Sequence, residues 1–276
     1  MERTYKMLLS DLIANNENLL SLFKNVPQTL LKHNVNGISG NSKRIKDDYI
    51  FVAIKGKKFN GSDFINEAKQ NGAFLIIADN SNDEIVISSN KISTRLVYTQ
   101  LLASFYNKQP KEIIGVTGTN GKTSTVDFCR QLWVQAGWKA ASMGTLGIKI
   151  ENTLNKGFFK SLKQDLTTFE PAALYKELYL LKNEEISHLA LEASSHGLDQ
   201  FRLDGVKFNG AVFTNLSHDH LDYHKNIENY FLSKKRLFTE LIQNNSAIAI
   251  NIDDDFGKRL LNEIEKNKFI IVTFGQ

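Results

Sequence analysis

Cysteine and proline are scarce in this sequence, and it contains no long apolar run. The 276 residues include one cysteine, Cys129, and three prolines. One cysteine cannot form an internal disulfide, which indicates a reducing compartment and leads us to expect a cytoplasmic protein. No run of roughly 18 apolar residues is present and no cleavage signal follows the charged start, so we expect neither membrane insertion nor export.

Neither sign of charge dominates the composition. Lysine and arginine number 34 against 30 aspartates and glutamates, giving a formal net charge of +4. So small an excess suits a protein that handles anionic ligands but does not predict nucleic-acid binding. With 42% hydrophobic and 23% charged residues, the composition is that of a folded chain long enough for two domains.

The order of apolar segments predicts two α/β domains, residues 1–110 and 111–276. In the first, short buried strands are expected at 50–54 and 74–78, and a helix over 93–107 ends just before a proline. In the second, apolar strand-like runs alternate with glycine-rich turns and helices, the last of which is expected over 227–243. This alternation predicts a mostly parallel, doubly wound sheet that binds its ligands at the carboxyl ends of the strands.

The strongest motif is IIGVTGTNGKTSTVDF, which has the pattern of a strand, a glycine-rich loop and a helix. Glycines permit close backbone approach, and a helix N-terminus offers free N–H groups to an anion. We therefore predict a nucleotide phosphate loop, in which Lys122 contacts the β and γ phosphates and Thr123 ligates Mg²⁺. Because Val116 stands where the usual motif has its first glycine, the loop is a variant form. The predicted ATP-binding residues are Gly118, Thr119, Asn120, Gly121, Lys122, Thr123 and Ser124.

A polar cluster follows the strand-like run HLALEAS, which contains Glu192. In a parallel sheet this strand end faces the same crevice as the phosphate loop. Glu192 is therefore a candidate metal ligand, and the polar residues after it are candidates for binding an anionic substrate. A solvated loop without a function is the alternative.

The segment FTNLSHDHLDYH places three histidines and two aspartates after another strand. Such side chains ligate transition metals, which by itself suggests a zinc-dependent hydrolase. Their order differs from that of the dinuclear hydrolases, and the upstream nucleotide loop favours magnesium. We expect one histidine to be a ligand beside ATP and the others to be surface or supporting groups.

The helix after this segment carries Tyr230, Lys234 and Phe238 on one face, because they are spaced four residues apart. A lysine between aromatic residues usually extends its amine to water, so spacing alone favours that interpretation. A functional lysine is the alternative.

Taken together, GTNGKT, DLTTFEP, LEASSHGLDQFR, FTNLSHDHLDYH and YFLSKKRLF occur in the order and approximate spacing of the Mur ligases. The stretch SGNSKRIKDDYIFVAIKGKKFNGSDF resembles the uridine-binding domain of the same family, so the likeness covers nearly the whole chain. The resemblance implies that residues 1–110 bind the UDP-linked substrate. It implies that residues 111–276 form an ATP-binding domain that is incomplete, with the family's C-terminal domain absent.

The resemblance also implies a reaction, in the bacterial cytoplasm. The sequence is most similar to the branch that adds a third amino acid, diaminopimelate or lysine, to UDP-N-acetylmuramoyl-L-alanyl-D-glutamate in peptidoglycan synthesis. A substrate carboxylate attacks the γ-phosphate of ATP, and an amine then attacks the resulting acyl phosphate. Phosphoryl transfer needs positioning and charge neutralisation more than a nucleophilic side chain, which fits a loop, lysines and metal ligands.

Individual roles are implied by the same resemblance. Glu192 and His220 match the ligands of a second Mg²⁺, and Lys234 matches a lysine that reacts with CO₂ to form a carbamate, which reverses the expectation from spacing. The implied catalytic residues are Lys122, Lys234, Glu192 and His220, and the implied metal ligands are Thr123, Glu192, His220 and Lys234 as N6-carboxylysine. The implied substrate contacts are Ser42, Lys57, Lys58, Phe59, Thr167, Thr168, Ser194, Gln200 and Arg202.

Two segments depart from the family pattern. Lys43 follows Asn41 and Ser42 where Asp-Ser-Arg is common, and Phe169 replaces a frequent proline after the paired threonines. The Ser42 segment and the threonines nevertheless argue against the ligases that add D-glutamate or D-alanyl-D-alanine, and against the folylpolyglutamate synthetases. A fragment that binds ATP or UDP-muramoyl peptide without turnover is the alternative to an active ligase.

Overall fold

The chain folds as two units that divide at the end of a long helix. The computed structural model describes residues 6–56, 60–79, 86–89, 92–152, 155–158 and 166–276. The units are Met1–Asn107 and Lys108–Gln276, so the division lies slightly before the predicted boundary. Asn107 ends the helix in the left-handed conformation, with φ 39°.

The first unit combines short helices with parallel strands. Its strands are β1 (Met7–Leu8), β2 (Asn34–Val35), β3 (Gly37–Ser39), β4 (Tyr49–Val52), β5 (Ala73–Ala78) and β6 (Val86–Ser88). Its helices are α1 (Leu9–Ile13), α2 (Glu17–Leu22), α3 (Gln28–Leu31), α4 (Ile65–Gln70) and α5 (Thr94–Tyr106), with 3₁₀ turns at Ser42–Arg44 and Gly61–Phe64. Within the described residues, β3 to β6 form a parallel four-stranded sheet, and β1 pairs antiparallel with β2.

Apolar periodicity explains how α5 packs. Val97, Leu101 and Phe105 are spaced four residues apart, which places them on one face of the helix, and all three are buried. On the sheet, Phe51 of β4 and Ile76 of β5 belong to one buried cluster with Ile45, Ala53, Ala68, Ala73, Ala78 and Val86. The first unit thus has its own hydrophobic core.

The second unit contains the larger sheet. Its strands are β7 (Glu112–Thr117), β8 (Ala140–Gly144), β9 (Gly147–Asn152), β10 (Asn155–Phe158), β11 (His188–Glu192), β12 (Phe208–Phe213), β13 (Ile242–Asn251) and β14 (Ile270–Phe274). Its helices are α6 (Lys122–Gln135), α7 (Pro171–Asn183), α8 (Ser195–Asp199), α9 (Leu221–His224), α10 (Ile227–Arg236) and α11 (Asp255–Glu263). A π-helical turn spans Leu237–Leu241 and a 3₁₀ turn spans Lys266–Lys268.

Strand β7 lies near the middle of this sheet. In the described residues the sheet has eight strands in the order β10-β9-β8-β11-β7-β12-β13-β14. Six of them run parallel, namely β8, β11, β7, β12, β13 and β14. Val116 pairs with Glu192 and Thr117 with Phe213, so the carboxyl ends of β7, β11 and β12 lie side by side. The predicted α/β fold with a mostly parallel sheet is confirmed.

Two local predictions in this unit are wrong. The helix expected over 227–243 ends at Arg236, and the π-helical turn follows it. The helix does not reach residue 243, because Ile242 already pairs with Phe208 in the sheet. Tertiary pairing overrides the local helical pattern there. The segment after Glu192, for which a solvated loop is one interpretation, contains α8, whose N-cap Ser194 accepts a hydrogen bond from Gly197 N at 3.1 Å. No helix in the described ranges is long and apolar enough to cross a membrane.

Candidate active site at the carboxyl edge of the larger sheet

The predicted phosphate loop connects β7 to α6 at the carboxyl edge of the sheet. Gly118 has φ +151° and Gly121 has φ +86°, and α6 begins directly afterwards at Lys122. A Cβ atom on Gly118 would lie 1.9 Å from Thr214 Oγ1, so this position of the variant motif requires glycine. The first N–H groups of α6 have no partner within the helix, which makes this turn a site for an anion.

Lys122 lies over its own loop. Its Nζ donates hydrogen bonds to Gly118 O at 2.9 Å and to Thr119 O at 2.8 Å. Burial lowers the pKa of Lys122, and the negative charges of Glu192 and Asp219 oppose that shift. An anionic phosphate at the mouth of the loop would further favour the charged amine.

Lys234 is buried and does not extend to water, so the prediction from spacing is wrong. Its side chain is 1% exposed, and its Nζ donates to Gly118 O at 2.7 Å and lies 4.3 Å from the centroid of the Tyr230 ring. Burial holds the pKa of Lys234 well below its usual value, and the charge of Lys122 lowers it further, while Asp219 opposes both effects. A lowered pKa increases the neutral, nucleophilic fraction of the amine at a given pH.

Glu192 supplies a buried carboxylate at the end of β11. It is 1% exposed and accepts hydrogen bonds from Thr145 N at 2.9 Å and from Thr145 Oγ1 at 3.1 Å. Thr123 and Glu192 line the same small cavity, together with Asp127 and Lys149. The structure therefore brings together two of the predicted metal ligands, and both offer oxygen atoms, the ligands that Mg²⁺ prefers.

The histidine-rich segment follows β12. His220 has the left-handed φ of 53°, and its side chain is 47% exposed. Its N–H donates to Asp219 Oδ1 at 2.8 Å, while His224 is buried, and that burial lowers the pKa of the His224 imidazole. The described residues, which include this whole segment, contain no group of three or more His, Cys, Asp or Glu side chains that could hold a metal ion. The observation gives no support to the zinc-hydrolase hypothesis.

The paired threonines connect to Glu192. Thr168 is 2% exposed, its Oγ1 donates to Glu192 O at 2.9 Å, and it accepts hydrogen bonds from Ser194 N and Ser194 Oγ, both at 2.9 Å. Thr167 Oγ1 lies within hydrogen-bonding distance of Thr145 Oγ1, at 3.2 Å. Both threonines and Ser194 therefore belong to the hydrogen-bonded surroundings of the carboxylate.

Arg202 extends this network. Its Nη1 donates to Thr168 O at 2.8 Å and its Nη2 to Gln200 Oε1 at 2.6 Å. Nη2 also lies 3.1 Å from Glu170 Oε1, and the Arg202 side chain is buried. The predicted substrate contacts of the second unit thus form one network beside the phosphate loop, and their role in substrate binding stays a prediction.

In the first unit, the structure describes one of the predicted substrate contacts. Ser42 begins the 3₁₀ turn after β3, it is buried, and its hydroxyl donates to the Glu67 carboxylate. Its carbonyl accepts a hydrogen bond from Asn71 Nδ2 at 3.0 Å. The other predicted contacts of this unit, Lys57, Lys58 and Phe59, lie outside the described residues.

Several residues that shape the site receive no specific role from the sequence analysis. Thr145, in the turn between β8 and β9, holds Glu192, and Asp219 acts electrostatically on both lysines. Thr214 and Asn215 contact the phosphate loop from the end of β12. The rule that parallel sheets bind ligands at their carboxyl ends points to these positions, but the order of the strands is not evident from the sequence.

This edge of the sheet defines a phosphate-loop nucleotide-binding domain in which two lysines and a carboxylate surround one loop. Residues 116–276 match the profile of the Mur ligase middle domain, and residues 34–103 match the Mur ligase family, catalytic domain. The first match alone covers more than half of the chain, so this protein belongs to the Mur ligase family.

Curated relatives within the family carry a specific enzyme name. The chain is 39% identical over 254 residues to the UDP-N-acetylmuramoyl-L-alanyl-D-glutamate--2,6-diaminopimelate ligase of Rickettsia conorii (strain ATCC VR-613 / Malish 7), covering 91% of this chain and 52% of the relative. It is 38% identical over 244 residues to the ligase of the same name from Rhizobium meliloti (strain 1021), covering 88% and 49%. The chain therefore spans about half the length of these relatives.

Solved structures show the same fold. A UDP-N-acetylmuramoyl-L-alanyl-D-glutamate--2,6-diaminopimelate ligase superposes with a TM-score of 0.74 at 26% identity, over 93% of this chain and 52% of that chain. MurF from Acinetobacter baumannii superposes with a TM-score of 0.58 at 19% identity, over 94% and 52%. The second similarity supports the fold alone.

Proposed function

We propose that this protein is an ATP-dependent amide ligase that adds diaminopimelate to UDP-N-acetylmuramoyl-L-alanyl-D-glutamate through an acyl phosphate. The observation that carries the proposal is that Lys122 and Lys234 both donate to Gly118 O in the phosphate loop, which is flanked by the buried Glu192. The curated relatives are ligases named for this substrate and this amino acid. Their names favour diaminopimelate over lysine, and a ligase over a fragment that only binds. The single cysteine is consistent with a cytoplasmic location.

The ATP phosphates bind at the first turn of α6 in this proposal. The free N–H groups of that turn and the helix dipole attract the anion, and Lys122 neutralises the charge on the β and γ phosphates. The substrate carboxylate attacks the γ-phosphorus, the bond to the bridging oxygen breaks, and ADP leaves. The amine of the incoming amino acid then attacks the acyl carbon, loses a proton, and displaces inorganic phosphate.

Lys234 acts in this proposal as a carbamate. Its neutral amine attacks the carbon of CO₂, an N–C bond forms, and one amine proton is lost to solvent, which leaves a negatively charged group. The low pKa that burial imposes on Lys234 favours the neutral amine that this step requires. The reaction replaces a cation that would repel Lys122 with an anion that attracts it.

The residues present fit a magnesium ion once Lys234 is modified. Thr123 and Glu192 line one cavity and carry hydroxyl and carboxylate oxygens, and a carbamate would add further hard oxygen donors, whereas an unmodified amine adds none. These groups and His220 would hold the metal, which when bound neutralises the negative charge of phosphates and carboxylate. Thr167, Thr168, Ser194, Gln200 and Arg202 are proposed to hold the muramoyl dipeptide, and Ser42, Lys57, Lys58 and Phe59 the uridine diphosphate.

Trapping of the acyl phosphate tests the proposal. The chain is incubated with MgATP, UDP-N-acetylmuramoyl-L-alanyl-D-glutamate and hydroxylamine, and the substrate hydroxamate is measured by mass spectrometry. We expect hydroxamate that depends on both substrates, and amide product when diaminopimelate replaces hydroxylamine. ADP release that is indifferent to the dipeptide substrate would contradict the proposal, as would an absence of hydroxamate when both substrates bind.

A further inference from the structure

The phosphate loop is held from the side by residues that follow β12. Asn215 Oδ1 accepts the N–H of Asn120 at 2.9 Å, and Asn215 Nδ2 donates to the carbonyl of Asn120 at 3.3 Å. Thr214 Oγ1 donates to the same carbonyl at 2.7 Å. Both backbone polar groups of Asn120 are thus bound by side chains of the segment that follows β12.

The preceding loop residue is held in the same way. Thr119 N donates to Asn215 O at 2.9 Å, and Ser217 N donates to Thr119 Oγ1 at 2.9 Å. The N–H groups of Thr119 and Asn120 are therefore engaged by the chain after β12. Phosphate binding then falls to the N–H groups of the residues that follow, from Gly121 into the first turn of α6.

The segment that holds the loop is itself anchored to β13 and α11. Asn251 Nδ2 donates to Thr214 O at 2.8 Å, and Leu216 N donates to Asp254 Oδ2 at 2.9 Å. Asp254 also caps α11, because its Oδ1 accepts the N–H of Phe256 at 2.9 Å. A continuous set of hydrogen bonds therefore runs from α11 to the phosphate loop.

We propose that Asn215, supported by Thr214, is a positioning residue that fixes the phosphate loop in its nucleotide-binding geometry before the nucleotide arrives. The inference deepens the proposed function and rests on it. Glycines on both sides of the Thr119–Asn120 pair give the loop wide conformational freedom. Without the bonds from Asn215, the loop would have to be ordered at the moment of binding, and that lost entropy would weaken the affinity for phosphates.

The same strand offers a matched control at its other end. Asn209, near the start of β12, also uses its Oδ1 to accept a backbone N–H from the β7 chain, that of Ile113, at 3.1 Å. Asn209 and Asn215 are both half-buried, so replacing either by alanine removes a side-chain acceptor of a backbone N–H in the neighbouring chain. Of these two asparagines, Asn215 contacts the phosphate loop and Asn209 does not.

The experiment compares Asn215→Ala with Asn209→Ala in two measurements on the full chain. The first is hydrogen–deuterium exchange of single amides without nucleotide. We expect the Asn120 amide to exchange at least about tenfold faster in Asn215→Ala, and the Ile113 amide to do so in Asn209→Ala, because each loses its acceptor. The second is the Kd for MgADP, which we expect to rise about tenfold in Asn215→Ala and less than about twofold in Asn209→Ala.

Unchanged exchange of the Asn120 amide in Asn215→Ala would overturn the inference, as would an equal loss of affinity in both variants. If the unsubstituted chain fails to bind MgADP, the proposed function fails, while the exchange measurement still decides whether Asn215 fixes the loop. Asn215→Ser, whose side chain is one bond shorter, replaces the alanine variant if that variant does not fold. The same exchange and affinity results are expected from it.

Discussion

The two edges of the larger sheet use similar side chains in opposite ways. At the carboxyl edge, Lys122 and Lys234 both donate to Gly118 O, and the pKa of each amine is lowered by burial. At the amino edge, Lys111 has an 80% exposed side chain and lies 3.6 Å from a Glu112 carboxylate oxygen. The amino edge keeps its charge solvated, whereas the carboxyl edge places two amines beside one carbonyl, where a bound anion would offset their mutual repulsion.

Aromatic residues sharpen this contrast. At the amino edge, Trp138 stacks on His188 with ring centroids 4.3 Å apart and an angle of 4° between the planes. At the carboxyl edge, the Tyr230 ring lies against the amine of Lys234. The His188 ring at the amino edge thus packs on a neutral aromatic ring, whereas the Lys234 amine at the carboxyl edge shares the Gly118 carbonyl with a second amine. The difference is consistent with the proposal that the nucleotide binds at the carboxyl edge.

The largest effect is expected from removing the lysine of the phosphate loop. Lys122→Ala should reduce acyl phosphate formation by about 10²–10³-fold, because the variant loses a charge placed to stabilise the transferring phosphoryl group. Lys111→Ala at the amino edge is the control and should leave the rate within about twofold, as expected for an exposed residue. Hydroxamate formation measures both rates. Equal rates in the two variants would remove the functional distinction between the edges.

The next effect is expected from two neighbouring lysines on α10. Lys234→Met should reduce acyl phosphate formation by about 10²-fold, because methionine cannot form a carbamate. Lys235→Met should retain most of the activity, since Lys235 is half-buried and its amine pairs with Glu263 at 2.8 Å rather than with the phosphate loop. Lys234→Met should also unfold at no lower urea concentration than the unsubstituted chain, because it removes a buried amine and keeps the volume. Similar activities of the two variants would exclude a role for the modified lysine.

The smallest effect is expected in the pH dependence of stability, through His188 at the amino edge. Burial lowers the pKa of His188, with Glu112 opposing and Lys111 reinforcing the shift. In the unfolded chain His188 binds a proton as the pH falls below about 6.5, whereas in the folded chain its lowered pKa delays protonation. The free energy of unfolding therefore decreases as the pH falls from about 6.5 through the folded-state pKa. His188→Gln should therefore lose less stability than the unsubstituted chain between about pH 8 and about pH 5, measured by urea unfolding. A stability difference that is constant with pH would contradict this account.

Local patterns predicted much of the second unit and of the phosphate loop. The loop and α6 follow from consecutive residues, because glycine conformations and helix starts are local properties. The buried amine of Lys234 could not be predicted from spacing, since burial depends on a contact with Gly118, which is distant in sequence. The bond from Thr145 to Glu192 and the bond from Asn215 to Asn120 have the same origin. Each of these contacts depends on which strands become neighbours in the sheet. No short sequence motif indicates that strand order.

Hydrogen–deuterium exchange with and without MgADP tests the central contrast most directly. The peptide that covers Gly121 to Ser124 should become protected when MgADP is added, because these N–H groups would then donate to phosphates. The peptide that covers Ser187 and His188 at the amino edge should exchange at the same rate in both states. Protection of the amino edge, or unchanged exchange at the phosphate loop in the presence of saturating MgADP, would contradict the assignment of the carboxyl edge as the nucleotide site.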